Sequence, residues 1–237
     1  MAREQYTGVP APRIHPAMRT EFHERLDALT TEASAMCALA ASVMRHANTA
    51  LLRTDEFDSA AMQSELSDLH ARNRHLERSA LVTLACEAPV ASDLRFVVTA
   101  LHIGADADRM GDLADHVARV VERRHPEPVV TDAVSGYFIK MGRNVVDLAE
   151  AAAGMVLDGD TARADQIRET DEFVNELHRR LFAVLMSPDW DGGVQRAVDL
   201  ILLGRFYERF GDHAKGIANR IVFRTTGISP LRSDTDS

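Results

Sequence analysis

Two five-residue stretches hold residue types that could bind a cation: Asp108-Arg109-Met110-Gly111-Asp112 and, one hundred positions later, Glu208-Arg209-Phe210-Gly211-Asp212. If each stretch is helical, its two acids stand at i and i+4, one turn apart on one face. Like charges so placed repel by about 0.2–0.5 kcal/mol, and the intervening arginine, a lysine or a metal ion would relieve them. Carboxylate oxygens are hard ligands that suit magnesium, manganese, calcium or iron, and an added imidazole shifts the preference towards zinc or iron. His116 follows Asp112 by four residues and flanks the acid line, whereas His213 points away from it. Asp115 extends the line begun by Asp108 and Asp112, so three carboxylates crowd the first face. Lys215 holds the matching place beside Glu208 and Asp212, where its ammonium can neutralise the pair internally. The first site is therefore expected to hold a divalent ion more tightly than the second.

The elements that carry these stretches are themselves duplicated. Val98 and Val198, Gly104 and Gly204, Ala114 and Ala214, Val117 and Ile217, and Ala118 and Ala218 match at the same offset. Apolar residues recur at three- and four-residue spacings through both halves, which predicts amphipathic helices. They run from about Met18 to Leu52, Ser59 to Cys86, Val90 to Arg124, Thr131 to Leu157, Thr161 to Met186 and Val194 to Phe223. Asp55-Glu56-Phe57-Asp58-Ser59 offers capping residues for the second helix, and Pro89 suits the first turn of the third. His125-Pro126-Glu127-Pro128 divides the halves, because two prolines separated by one residue cannot continue a helix.

Strand signals are nearly absent, so the chain is expected to be all-α: two tandem antiparallel three-helix bundles related by pseudo-twofold symmetry. Residues 17–125 form the first bundle and 129–225 the second, with a disordered arm over 1–16 and a flexible tail over 226–237. Each motif lies on the third helix of its bundle. A middle helix packs beside the third, so Glu65 and Asp68 in the first half, and Asp171, Glu172 and Glu176 in the second, are candidates to complete an oxygen shell. Exposed charge is the plainer expectation for each of them.

Composition narrows the function. A formal charge of −9 without a large basic cluster lacks the electrostatic footprint of a nucleic-acid binder. The 46% hydrophobic content is ample for a core, yet nowhere do 18 apolar residues run unbroken, and the N-terminus has no apolar signal core. Membrane contact is expected only through a partner. Cys37 and Cys86 lack metal-ligand spacing, read as small buried thiols and fit a reducing cytoplasm. No phosphate loop, nucleophile elbow or H-E-x-x-H pair is present, so no catalytic apparatus is visible. A metal-dependent enzyme or a metal store built on a helical bundle is one alternative.

These residues resemble the PhoU family of phosphate-transport accessory regulators, and the actinobacterial members most. The resemblance rests on Ala88-Pro89-Val90-Ala91-Ser92-Asp93-Leu94-Arg95 leading into Asp108-Arg109-Met110-Gly111-Asp112, and on Phe206-Tyr207-Glu208-Arg209-Phe210-Gly211-Asp212-His213. Leu181-Phe182-Ala183-Val184-Leu185-Met186 adds to it, and about Met18 to Phe223 is covered. The resemblance implies two three-helix bundles with metal ions, iron, zinc, manganese or magnesium, on the acid motifs. It implies a cytoplasmic regulator that restrains phosphate uptake and starvation signalling through the ATPase of a phosphate ABC transporter and a membrane sensor histidine kinase. An accessory to another phosphate carrier or to polyphosphate metabolism is the other alternative. Homodimers are common in that family. This chain departs from the family at His116 and Gly216, where asparagine is frequent, and at Asn175, where an acid is common.

Overall fold

The computed structural model describes residues 16–53, 58–87 and 91–227. Six helices account for nearly all of them: α1 (Pro16–Leu52), α2 (Ser59–Glu87), α3 (Ala91–Arg124), α4 (Asp132–Asp158), α5 (Ala164–Leu185) and α6 (Val194–Thr226). No strand occurs among the described residues. The helices match the expected ones within a few residues, except that a short 3-10 turn over Thr161–Arg163 precedes α5. The N-terminal arm through His15, Asp55 to Phe57, the Ala88-Pro89-Val90 link and the tail beyond Gly227 lie outside the described residues.

Local chemistry sets the helix ends. The Asp58 carboxylate accepts from the Ala61 backbone N–H at 2.9 Å, capping α2. Gly159 ends α4 in the left-handed region at φ 70° and donates its N–H to the Met155 carbonyl. Gly227 ends α6 in the same way, at φ 73°. The Asp160 side chain accepts from Ala162 N–H at 3.0 Å and starts the 3-10 turn.

Within each half the three helices pack on one another, and the halves meet along two seams, α1 on α4 and α3 on α6. Equivalent helices thus face each other across the pseudo-twofold axis. The α1/α4 seam is antiparallel: the Ser34 hydroxyl donates to the Ala153 carbonyl at 2.8 Å, and Asn48 lies over Gly142. The hydrophobic core passes unbroken through both halves, from Met36, Met44 and Met62 through Met110 to Phe138, Tyr207 and Phe210. Tyr207, fully buried, donates its hydroxyl to Asn48 across the middle of the molecule.

Candidate functional site

The glycines of the motifs determine what stands over the acids. A Cβ on Gly111 would lie 2.5 Å from Leu69 Cδ2 and 3.0 Å from Leu66 Cδ1, and one on Gly211 would lie 2.9 Å from Asp171 Oδ1. Gly104 lies under Leu76 and Asn73, and Gly204 under His178. The lack of a side chain lets α2 press onto α3 and α5 onto α6 at matching heights. Burial repeats accordingly: Ile103, Gly104, Ala107, Met110 and Gly111 are buried on α3, as are Leu203, Gly204, Tyr207, Phe210 and Gly211 on α6.

That close approach brings an imidazole to each acid pair, beside the cations of the motif helix itself. In the first bundle α2 places His70 between Asp108 and Asp112, with Nδ1 at 2.7 Å from Asp108 and Nε2 at 3.8 Å from Asp112. Arg109 Nη1 donates to Asp112 at 2.8 Å. In the second bundle His178 Nδ1 lies 3.3 Å from Glu208, which also receives Arg205. Lys215 Nζ bridges Asp212, at 3.1 Å, and Asp171. Burial raises the Asp171 carboxyl above its ordinary range against the pull of Lys215, and burial lowers the His178 imidazole against Glu208. Asp171 is 2% exposed, and its Oδ1 has no hydrogen-bond partner.

The other acids fall elsewhere. Asp115 does not join Asp108 and Asp112: it is buried in the α2/α3 seam, accepting from Gln63 Nε2 at 2.9 Å and pairing with Arg119 Nε at 2.6 Å. Glu65 faces α1, where it accepts from the Ser42 hydroxyl at 3.1 Å and lies 3.4 Å from His46 Nδ1. Asp68 pairs with Arg72, and Glu172 and Glu176 with Arg179 on the outside of α5. His116 turns to α6, its ring 5.2 Å from that of Phe206. Cys37 is buried and its thiol is pushed up to about 12 by burial and by Asp106, but Cys86 is exposed, contrary to expectation. Sequence reasoning passed over His70 and His178. The repeated glycines hold the signal that finds them, because each marks a point where side chains of the middle helix sit against the third helix and so sets the register.

Among the described residues no group of three or more His, Cys, Asp or Glu side chains is arranged to hold a metal ion. Around Lys215 the residues do not fit one, since an ammonium already lies between Asp171 and Asp212 where a cation would go. Around His70 the donors, one imidazole and two carboxylates, are of types that zinc or iron takes, but the ring stands between Asp108 and Asp112 with a different nitrogen towards each, so the three do not converge on one point as placed.

The comparisons with known proteins agree with this architecture. The family model described as the PhoU domain matches residues 33–121 and again 138–221, one match in each half. The chain is 47% identical over 213 residues to "Phosphate-specific transport system accessory protein PhoU homolog 1" of Mycobacterium leprae, covering 90% of this chain and 96% of that protein. It is 46% identical over 213 residues to "PhoU homolog 2" of Mycobacterium tuberculosis, covering 90% and 100%. The crystal structure of PhoU from Pseudomonas aeruginosa superposes with a TM-score of 0.73 at 22% identity, covering 87% of this chain and all of that one, a likeness of fold. With a family match in each half and relatives this similar over nearly their whole length, the chain belongs to the PhoU family.

Proposed function

We propose that this protein restrains phosphate uptake and phosphate-starvation signalling when phosphate is plentiful, as a non-enzymatic cytoplasmic adaptor between the ATPase of a phosphate ABC transporter and a sensor histidine kinase. The observation that carries this is the family match in both halves, with relatives named as accessory proteins of the phosphate-specific transport system. No helix among the described residues is long and apolar enough to cross a membrane, which suits a protein that reaches the membrane through its partners. A deletion strain is expected to take up phosphate constitutively and to express the starvation response in rich medium. Uptake and reporter activity unchanged in both conditions would overturn the reading. Affinity capture of the chain should bring down the transporter ATPase or the kinase, and its sedimentation mass should be that of a homodimer; neither protein in the eluate, or a one-chain mass at micromolar concentration, counts against those two points.

Metal binding, in this proposal, belongs to the first motif, with Asp108 and Asp112 as ligands once the His70 ring turns from between them. Lys215 takes the metal's place in the second. Dialysis against limiting Mn²⁺, Zn²⁺ or Fe²⁺ followed by elemental analysis should show bound metal falling in Asp112→Ala and holding in Asp212→Ala. Equal losses in the two variants, or no metal in the unaltered protein, would assign both motifs to packing and partner contact.

A further inference from the structure

The α3/α6 seam brings the arginines of the two motifs together. The helices cross antiparallel: Asp106 accepts from His213 Nδ1 and from Arg220 Nε, each at 3.0 Å, and near the far end Arg124 Nε donates to Asp199 at 2.6 Å. Residues 109 and 209 therefore meet near the middle of the crossing, on the pseudo-twofold axis. Arg109 and Arg209 both line one small cleft, with His116 and His213 beside them and Leu113 and Phe206 behind.

Charge in this cleft is unbalanced. Arg109 is held by Asp112, whose carboxylate also lines the cleft and is shared with His70. Arg209, the equivalent residue, makes no ion pair or hydrogen bond among the described residues, although Asp212 stands three positions on in the same relation. Asp212 is held by Lys215 instead, through Oδ1 at 3.1 Å. His213 spends Nδ1 on Asp106, and among the described residues its Nε2 has no hydrogen-bond partner and His116 makes only its ring contact with Phe206. Guanidinium groups match tetrahedral oxyanions through paired N–H donors and bind them in preference to diffuse anions. The cleft holds about 120 Å³. That is well short of the ~300 Å³ at which organic-ligand pockets begin, a space on the scale of a small ion rather than of a cofactor.

We propose that the cleft between Arg109 and Arg209 binds a small tetrahedral oxyanion of the inorganic phosphate class. The site is built from both halves at once, so occupancy ties α3 to α6. This deepens the regulatory reading, and rests on it only in making the ion a signal; a failure to bind would leave the deletion phenotype untouched.

The test is isothermal titration of the purified full chain with inorganic phosphate and, separately, with sulfate, alongside side-chain NMR of the histidines. The unaltered protein should bind a single ion per chain and shift the His116 and His213 ring resonances. Arg209→Gln should weaken binding by roughly tenfold or more, the effect of removing one charged donor to an anion. Arg205→Gln, a control on the same helix whose partner is Glu208, should bind as the unaltered protein does. Sulfate binding at the same histidines would assign the site to tetrahedral oxyanions generally, and phosphate binding alone to phosphate, both within the proposal. No binding of either ion at millimolar concentration, or equal affinity in Arg209→Gln, would overturn it.

Discussion

Lys215→Met is expected to lower stability by about 3 kcal/mol at neutral pH, because it strands the Asp171 carboxylate between α5 and α6. Asp171 is almost wholly buried, one of its oxygens already lacks a hydrogen bond, and Lys215 is the cation beside it. Removing one partner of a buried pair costs about 3–5 kcal/mol; Lys215 keeps 30% of its side chain exposed, which places the loss at the low end. The pH dependence has a definite sign. Burial already raises the folded-state pKa of Asp171, and without Lys215 only the long hydrogen bond from Asn175 Nδ2, at 3.4 Å, is left to oppose the rise. A carboxyl with a raised folded pKa binds more protons folded than unfolded, so its cost grows as pH rises from the ordinary carboxylate value through the raised one, and is relieved below. Denaturant unfolding of both proteins at pH 7 and at about pH 4.5 should therefore show the gap narrowing on acidification. Equal stability at neutral pH, or a gap that widens in acid, would remove Asp171 as the cause.

Gly111→Val should cost a further class of energy, that of overpacking. A helical glycine exchanged for alanine gains about 1 kcal/mol of helix propensity, but valine regains less because its branched Cβ is restricted. Against that gain stands a Cβ only 2.5 Å from Leu69 and 3.0 Å from Leu66, both buried side chains in a core that continues on every side. The two leucine methyls must turn aside or α2 must lift from α3, at a cost of about 1–3 kcal/mol. Because His70 rides on α2, the shift also draws the imidazole away from Asp108. The expected outcome is a lowered unfolding midpoint together with a changed His70 ring resonance. Gly136→Val, at a position where a Cβ meets nothing within 4 Å, serves as the comparison. Equal midpoints for the two variants would show that the close approach of α2 is not what the motif glycine serves.

The all-α fold, the six helices and the pairing of halves were legible because long amphipathic periods and proline breaks are local signals. The rotation of each helix about its axis was not. α3 touches α1, α2 and α6, so only a narrow strip of it stays open, and Asp115 falls into the α2 seam although the wheel aligns it with Asp108 and Asp112. Glu65 likewise faces α1 because α2 packs on two helices at once. Lys215 was legible as the charge that distinguishes the second motif from the first, since its offset from Asp115 is plain. His70 and His178 were hidden because a partner on another helix is found only once the register between helices is known. Cys86, expected to be buried, sits near the end of α2 where few helices remain to cover it.

The two seams between the halves make this chain an isologous pair closed within one polypeptide. A dimer of identical units that held Asp106 against His213 and Arg220 would hold that cluster twice. Here it exists once, and the matching place is taken by Phe206 against His116. The pseudo-twofold that relates the helices is therefore broken in charge along this seam.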